Sequence, residues 1–406
     1  MPRIVRILNR FVIGGPVLNI TYLSKLLSDE FESLMIVGEN EEGEKEATHL
    51  KNQYDLNIIK IKEMGRSVNP YNDYIAYKKI KDIILSYKPD IVHTHAAKSG
   101  LLGRLAAAHC NVPVILHTFH GHVFHSYFNK LQTDIIIRTE RWLAKKSTGI
   151  IAISGQQKHE LANLYKICHA EKIKILPLGL DTNKFHQDAT VMRNGFRNKY
   201  MLADEEIAVG IIGRIVPIKN HSYFINIAVQ ALKQSSKKLR FFIIGDGSEA
   251  IKISLQTEIK NLGLDYCYFP DNPVKATFTF TSWIIDIEKA YAGLDIIMIT
   301  SLNEGTPVSL MEAQVSGKPV LSTLVGGVPD VVINNETGYC IEKNNFNEYV
   351  QKLLLLAEDE ELRNKMGAKG KEFIENNFSV QQLISKTREY FRECLANHHQ
   401  HKGNQS

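Results

Sequence analysis

Leu294-Asp295-Ile296-Ile297-Met298-Ile299, followed after a short gap by Asn303-Glu304-Gly305-Thr306-Pro307-Val308-Ser309-Leu310-Met311-Glu312, sets the expected architecture of this chain. The first segment is a short apolar run rich in branched residues, the pattern of a strand buried on both faces of a parallel sheet. The second begins just beyond that strand's carboxyl end. There Thr306 suits the N-cap of a helix and Pro307 its first position, where a missing N–H costs nothing. The N–H groups of Val308 and Ser309 are then free for an anion such as phosphate. Glu304 falls in the loop ahead of the helix and Glu312 inside it, so the two carboxylates can hold different parts of one ligand longer than a phosphate.

Outward from this unit, short apolar runs alternate with helical patterns, the signature of βαβ units and an α/β fold. One series comprises 4–8, 33–37, 56–61, 90–94, 112–117, 149–153 and 173–176. A second comprises 207–212, 239–244, a less regular stretch over 266–283, then 295–299, 319–321 and 338–341. Between them Pro177-Leu178-Gly179-Leu180-Asp181 joins a proline and a glycine to a strand end, which marks a domain junction. The expected division is 1–178, 179–383 and 384–406, the last part being an amphipathic helix over 379–395 and then a disordered polar tail with His398, His399 and His401.

With 406 residues, 44% of them hydrophobic, the chain supports two substantial cores. A net charge of +5 without dense Lys/Arg blocks argues against nucleic acid and for anionic small molecules or membrane surfaces. The five cysteines, Cys110, Cys168, Cys267, Cys340 and Cys394, are scattered and never form C-x-x-C, so no disulfide framework or zinc site is expected. The reading is a cytoplasmic protein, soluble or peripheral at the inner face of a membrane, because no segment has the length of an apolar span.

Several loops after strands carry candidate chemistry. Gly213-Arg214-Ile215-Val216-Pro217-Ile218-Lys219 places two cations where open α/β sheets bind ligands, and Arg214 and Lys219 together can neutralise charge growing on a departing diphosphate. Gly245-Asp246-Gly247 and Gly326-Gly327-Val328-Pro329-Asp330 are either backbone approaches to a nucleotide or plain turns. Gly14-Gly15 follows the first strand and can cradle a phosphate, although it is not G-x-G-x-x-G. His93, His95, His117, His120, His122 and His125 cluster at two strand ends; metal is disfavoured for want of fixed spacing, and His120 is the one expected to meet a sugar or shuttle a proton. No Asp-x-Asp ends a hydrophobic strand, so no metal and no other cofactor is expected. The stretch 130–146 mixes Lys130, Arg138, Arg141, Lys145 and Lys146 with Leu131, Ile135, Ile136, Trp142 and Leu143. It either rests on anionic lipid or packs on the first sheet, with Asp134 and Glu140 diluting its charge.

Taken together these residues resemble family 4 of the glycosyltransferases over nearly the whole chain. Glu304 and Glu312, with seven residues between them, resemble that family's E-x7-E motif; Gly213-Arg214 with Lys219, Gly245-Asp246-Gly247, Pro177 to Asp181, Gly14-Gly15 and the segment around His120 support it. The resemblance implies a GT-B fold of two Rossmann-like domains facing across a cleft, the N-terminal one binding acceptor and the C-terminal one donor. It implies that Arg214 and Lys219 bind the diphosphate, Glu312 the ribose, and Glu304 with the backbone of Gly305, Thr306, Pro307, Val308 and Ser309 the donor sugar and phosphate. Gly15 and Gly245 approach the donor, and His120 contacts the sugar, with His122 as its rival. It also implies a last helix that crosses back, and transfer with retention of configuration in which the leaving phosphate deprotonates the acceptor. One departure is the stretch from Phe269-Pro270-Asp271-Asn272-Pro273 through Thr281-Ser282-Trp283, where the family often has a shorter connection and a glycine near Ser282, around the segment that meets base and acceptor. The expected activity is transfer of a hexose or N-acetylhexosamine from a UDP sugar to a glycan or lipid-linked acceptor. The alternatives are a non-hydrolysing UDP-sugar 2-epimerase and a non-catalytic nucleotide-sugar-binding protein.

Overall fold

The computed structural model describes residues 1–12, 14–41, 46–65, 67–120, 130–186 and 188–403, except for the side chains of 401–403. It forms two compact units, Met1–Gly179 with Val380–Ser406, and Leu180–Ser379. The N-terminal unit holds strands β1 (Arg3–Leu8), β2 (Glu32–Gly38), β3 (Ile58–Ile61), β4 (Ile91–His95), β5 (Val114–Phe119), β6 (Gly149–Ala152) and β7 (Ile173–Ile175). They pair in parallel in the order β3-β2-β1-β4-β5-β6-β7. The C-terminal unit holds β8 (Ile207–Ile212), β9 (Leu239–Ile244), β10 (Tyr266–Tyr268), β11 (Phe278–Ser282), β12 (Ile296–Ile299), β13 (Val320–Thr323) and β14 (Gly338–Ile341). These too are parallel, in the order β10-β11-β9-β8-β12-β13-β14.

Each sheet is apolar on both faces because helices cover both. Every residue of β8, β9 and β12 is buried. In the N-terminal unit Val5, Ile7 and Val92 pack under the helices Pro70–Tyr87 and Ala97–His109, while Ile4 and Ile91 on the opposite face pack with Tyr22, Leu23, Leu383 and Phe391. The strand order reverses between β1 and β4 in the first sheet and between β8 and β12 in the second, where β10 also lies outside β11, and at such a reversal the neighbouring loops part at the strands' carboxyl ends.

The irregular stretch 266–283 resolves into the two short strands β10 and β11. The C-terminal helix runs Val380–Gly403, so the polar tail expected to be disordered is helical through Gly403: nothing between Ala396 and Gly403 breaks a helix, and a formed helix propagates readily. It starts before the boundary drawn at 383, because Val380 and Leu383 are buried in the core of the N-terminal unit.

A buried ion pair ties two helices of this unit. Arg104 Nη2 meets Glu140 Oε2 at 2.7 Å with side chains 0% and 4% exposed, and Arg104 Nε donates to Gly100 O at 2.8 Å. Removing one partner of such a pair strands a buried charge, at a cost of about 3–5 kcal/mol. Chemical unfolding of Glu140→Ala is therefore expected to show the N-terminal unit destabilised by about that amount, while the C-terminal unit keeps its transition. An unchanged first transition contradicts this role.

Candidate functional site

In the C-terminal unit the loops after β8 and β12 meet at the reversal of strand order. Lys219, in the loop after β8, reaches Glu304, in the loop after β12, with Nζ 2.5 Å from Oε1. Ser301 Oγ donates to the same oxygen at 2.5 Å. Thr300 Oγ1 donates to the carbonyls of Lys219 and Asn220 at 3.1 and 3.0 Å, which fixes one loop on the other. Glu304 therefore has Oε1 engaged, and Oε2 has no partner among the described residues. Arg214 is exposed, and no carboxylate pairs with it among the described residues. The two cations expected to act alike are thus unlike: Lys219 is spoken for by Glu304, and Arg214 is the free charge.

The helix expected to open at Thr306 runs Val308–Val315, and its cap position falls on Pro307, at φ −75° and ψ 97°. Thr306 is not the cap. Its hydroxyl is buried and has no partner among the described residues. The first-turn N–H groups of Val308 and Ser309 still lack intrahelical acceptors, as at any helix start, so the anion-ready edge survives the shift.

Two glycines hold this loop. Gly326 has φ +49°, and a Cβ there would lie 1.8 Å from Glu304 O; a Cβ on Gly327 would lie 2.1 Å from Gly305 O. The Gly327 N–H instead donates to Gly305 O at 2.8 Å. The Gly326-Gly327 segment, ambiguous in sequence, is in the free protein a backbone clamp on the Glu304-Gly305 peptide. Gly245 behaves similarly: at φ +140° its missing Cβ would sit 1.9 Å from Gly213 O, so its close approach is to the neighbouring loop.

Glu312 occupies a different environment. Tyr291 donates its hydroxyl to Oε2 at 3.0 Å, and Lys184 Nζ lies 3.7 Å from Oε1. Burial raises its pKa above the usual carboxylate range, with Lys184 and Tyr291 opposing the rise. Tyr291 also donates to Ser309 O at 3.1 Å, so it braces both the carboxylate and the helix start.

In the N-terminal unit Gly15 is the first residue of the helix Gly15–Leu26 rather than part of the loop before it. His120 lies one residue beyond β5, partly buried, with Nε2 2.9 Å from His95 Nδ1 and the rings stacked at 5.1 Å. Its Nδ1 has no partner among the described residues. Burial lowers its pKa to about 4, so it is a neutral imidazole at neutral pH. His122 and His125 lie outside the described residues. Beneath this pair Arg6, fully buried, places Nη1 3.2 Å from His93 Nδ1, and its own pKa falls to about 9 through burial. Arg can only donate, so His93 Nδ1 accepts and its proton sits on Nε2, facing Thr118 Oγ1 at 2.7 Å.

Sequence reasoning missed Ser301, Tyr291, Lys184 and Arg6. Ser301 stands three residues before Glu304 and could have been found by that spacing; the others reach their partners only through the tertiary fold. It also missed the backbone at β4's end, where Ala96 is held at φ +66° while Asn9 Oδ1 accepts the Ser99 N–H at 2.6 Å. Among the described residues no group of three or more His, Cys, Asp or Glu is arranged to hold a metal ion.

Comparison with known proteins places both halves. Residues 13–184 match the model described as Glycosyltransferase Family 4, and residues 192–373 the model described as Glycosyl transferases group 1. Among curated proteins the chain is 28% identical over 376 residues to an Escherichia coli UDP-Gal:alpha-D-GlcNAc-diphosphoundecaprenol alpha-1,3-galactosyltransferase, covering 85% of this chain and 90% of that one. It is 28% identical over 332 residues to the Staphylococcus aureus capsular polysaccharide biosynthesis glycosyltransferase CapM, covering 81% and 83%. Among solved structures, Anabaena Alr3699/HepE in complex with UDP and glucose superposes with a TM-score of 0.81 at 18% identity, over 97% of this chain and all of that one.

The buried histidines make stability depend on pH. Burial lowers the pKa of His93, His95 and His117 well below 6.5, and that of His120 to about 4. Between these values and 6.5 the unfolded chain binds more protons, so the contribution is complete above about pH 6.5 and is lost as pH falls towards 4. The N-terminal unit is expected to melt at a markedly lower temperature at pH 5 than at pH 8. Equal melting temperatures would contradict the neutral, buried assignment.

Proposed function

The chain belongs to glycosyltransferase family 4 and has a two-domain α/β GT-B fold, and on that premise we propose that it transfers a hexose or N-acetylhexosamine from a UDP sugar to a glycan or lipid-linked acceptor, with retention of anomeric configuration. One observation carries the reading: Glu304, held on one oxygen by Lys219 and Ser301, stands immediately before a helix start whose N–H groups are free. That arrangement offers a hydroxyl acceptor beside an anion cradle, the two things a sugar diphosphate needs in one place.

In this reading the C-terminal unit takes the donor and the N-terminal unit the acceptor. The diphosphate meets Arg214, Lys219 and the N–H groups of Val308 and Ser309, with Gly305, Thr306 and Pro307 shaping the turn. Glu304 Oε2 accepts from a donor-sugar hydroxyl while Lys219 turns part of its charge to the phosphate. Glu312 receives the ribose hydroxyls. Gly15 and Gly245 contribute backbone approach, and His120, neutral, offers Nδ1 to the sugar. As the glycosidic bond to the diphosphate breaks, charge grows on the leaving phosphate oxygen, which these cations stabilise; the same phosphate takes the acceptor's proton, so no protein nucleophile is required. The relative that acts on a diphosphoundecaprenol-linked sugar and the neighbour solved with UDP support a UDP donor and a lipid-linked acceptor.

The test is nucleotide release from a panel of UDP and GDP sugars, with and without acceptors, followed by the anomeric configuration of the product. Turnover with a UDP sugar and a retained product is expected; turnover with GDP sugars alone or an inverted product overturns the respective part of the reading. Glu304→Ala is expected to lower turnover by at least about a hundredfold, the scale of losing one preorganised electrostatic contact, with its melting temperature little changed. Full activity in that variant contradicts the role given to Glu304.

With Arg214, Lys219 and the helix start neutralising the diphosphate, activity is expected to persist in EDTA. Strict dependence on added magnesium or manganese would show that protein cations alone do not suffice.

A further inference from the structure

The helix Lys130–Lys146 shows solvent a face that the core of its unit does not account for. Leu131, Ile135 and Trp142 are 72%, 56% and 47% exposed. At about 100° per residue the three fall within about 40° of arc, so they form one stripe along the outermost line of the helix. Its inner side is occupied by Glu140, Leu143 and Ala144, all buried. Glu140, whose charge in sequence offsets the lysines, is consumed inside the unit by Arg104. The outer face therefore carries Lys130, Arg138, Arg141, Lys145 and Lys146 against Asp134 alone. Arg141 is partly engaged, holding Tyr165 O at 2.7 Å, while Lys146 Nζ stands 4.9 Å from the centre of the Trp142 ring.

A helix packed on a sheet normally turns its apolar residues inward and its charges outward. Here cations flank an outward apolar stripe that includes a tryptophan, the composition of a helix lying in a membrane interface. We propose that this face docks the N-terminal unit on an anionic lipid bilayer, with Leu131, Ile135 and Trp142 entering the headgroup boundary and Lys130, Arg138, Lys145 and Lys146 meeting lipid phosphates. The charge selects this occupant: a nucleic acid gains nothing from Leu131 and Ile135, and a stripe one residue wide is too narrow for the apolar centre of a stable protein interface. Among the described residues no helix is long and apolar enough to cross a membrane, so the contact is with the surface. The proposal deepens the reading of a lipid-linked acceptor, on which it partly rests, by placing the enzyme where such an acceptor lies.

The test is co-sedimentation of the full chain with vesicles of phosphatidylglycerol and phosphatidylcholine, and with phosphatidylcholine alone, at low and raised salt. Binding to the anionic vesicles that weakens with salt, and little binding to the neutral ones, is expected. Lys145→Glu with Lys146→Glu, and separately Ile135→Glu with Trp142→Ser, are expected to lower anionic-vesicle partitioning by at least about tenfold each. Nucleotide release with a water-soluble acceptor should be unchanged in both. Should the second pair lose that activity through misfolding, Lys145→Gln with Lys146→Gln, which alters only exposed side chains, carries the test. Absence of anionic binding by the unaltered chain, equal binding to neutral vesicles, or undiminished binding by the charge variants would overturn the proposal. A chain that binds vesicles yet releases no nucleotide from any donor would overturn the transferase reading instead.

Discussion

Both sheets are parallel and covered on both faces, and this constraint governs where chemistry can stand. A parallel strand needs a crossover, the crossover helices bury the strand faces, and polar function is displaced to the loops. In the C-terminal unit those loops are also tied to one another. Isolated bridges join Ile215 to Gly247 and Gly245 to Ser282, and Gly327 is pinned to Gly305. With the Leu302 N–H donating to Ile218 O at 2.8 Å, the ends of β8, β9, β11, β12 and β13 form one backbone framework, and within it Lys219 reaches Glu304. Ser282 is held at φ +59°, and its hydroxyl donates to Asp246 Oδ2 at 3.1 Å. The strain of a non-glycine residue in that region is offset locally by a bond that glycine could not make.

Charge is handled differently in the two units. In the C-terminal crevice Lys219 and Glu304 keep 21% and 10% side-chain exposure, so their pairing is an arrangement that a competing anion can reorganise. In the N-terminal unit no carboxylate among the described residues pairs with Arg6. Its Nη1 meets His93 Nδ1, its Nη2 donates to Leu23 O at 3.1 Å and its Cζ lies 5.6 Å from the centre of the Phe391 ring, while Nε has no partner among the described residues. A buried guanidinium held by neutral acceptors requires His93 to stay neutral, since a protonated ring would present a second cation. The same low-dielectric interior keeps His95 and His120 unprotonated, and so keeps one nitrogen of the pair available as an acceptor.

The strands are legible in the sequence because a doubly covered parallel strand is a largely apolar run, and 207–212, 239–244 with its single Arg240, and 338–341 coincide with observed strands. The E-x7-E spacing and the cations after β8 were legible for a similar reason, being local. The helix start was less so. Thr306 and Pro307 fit the N-cap rule, yet the cap falls on Pro307, in a loop whose Gly305 O accepts from the Gly327 N–H beyond β13, a contact distant in sequence. Nor could the sequence decide what the helix Lys130–Lys146 covers. Leu131 and Leu143 are the same residue type, and only the position of Arg104 on the neighbouring helix, which draws Glu140 inward, fixes which of them faces out.

Glu304 and Glu312 show how far the fold separates two residues of one motif. Glu304 has a cation and a hydroxyl on one oxygen and a second oxygen to spare. Glu312 is pushed towards its protonated form by burial, and is kept from going further by Lys184 and Tyr291. The Lys184 contact, at 3.7 Å, is an ion pair beyond hydrogen-bond length. Oε1 therefore still has lone pairs for hydroxyl donors while the lysine supports its charge. A pair of vicinal hydroxyls suits that oxygen better than a second cation would, because hydroxyls add hydrogen bonds to a carboxylate that burial has stripped of water without adding charge to the interior. The proposed division of labour between the two glutamates, one sharing a cation with an anion and the other binding neutral hydroxyls, thus rests on this difference in their surroundings.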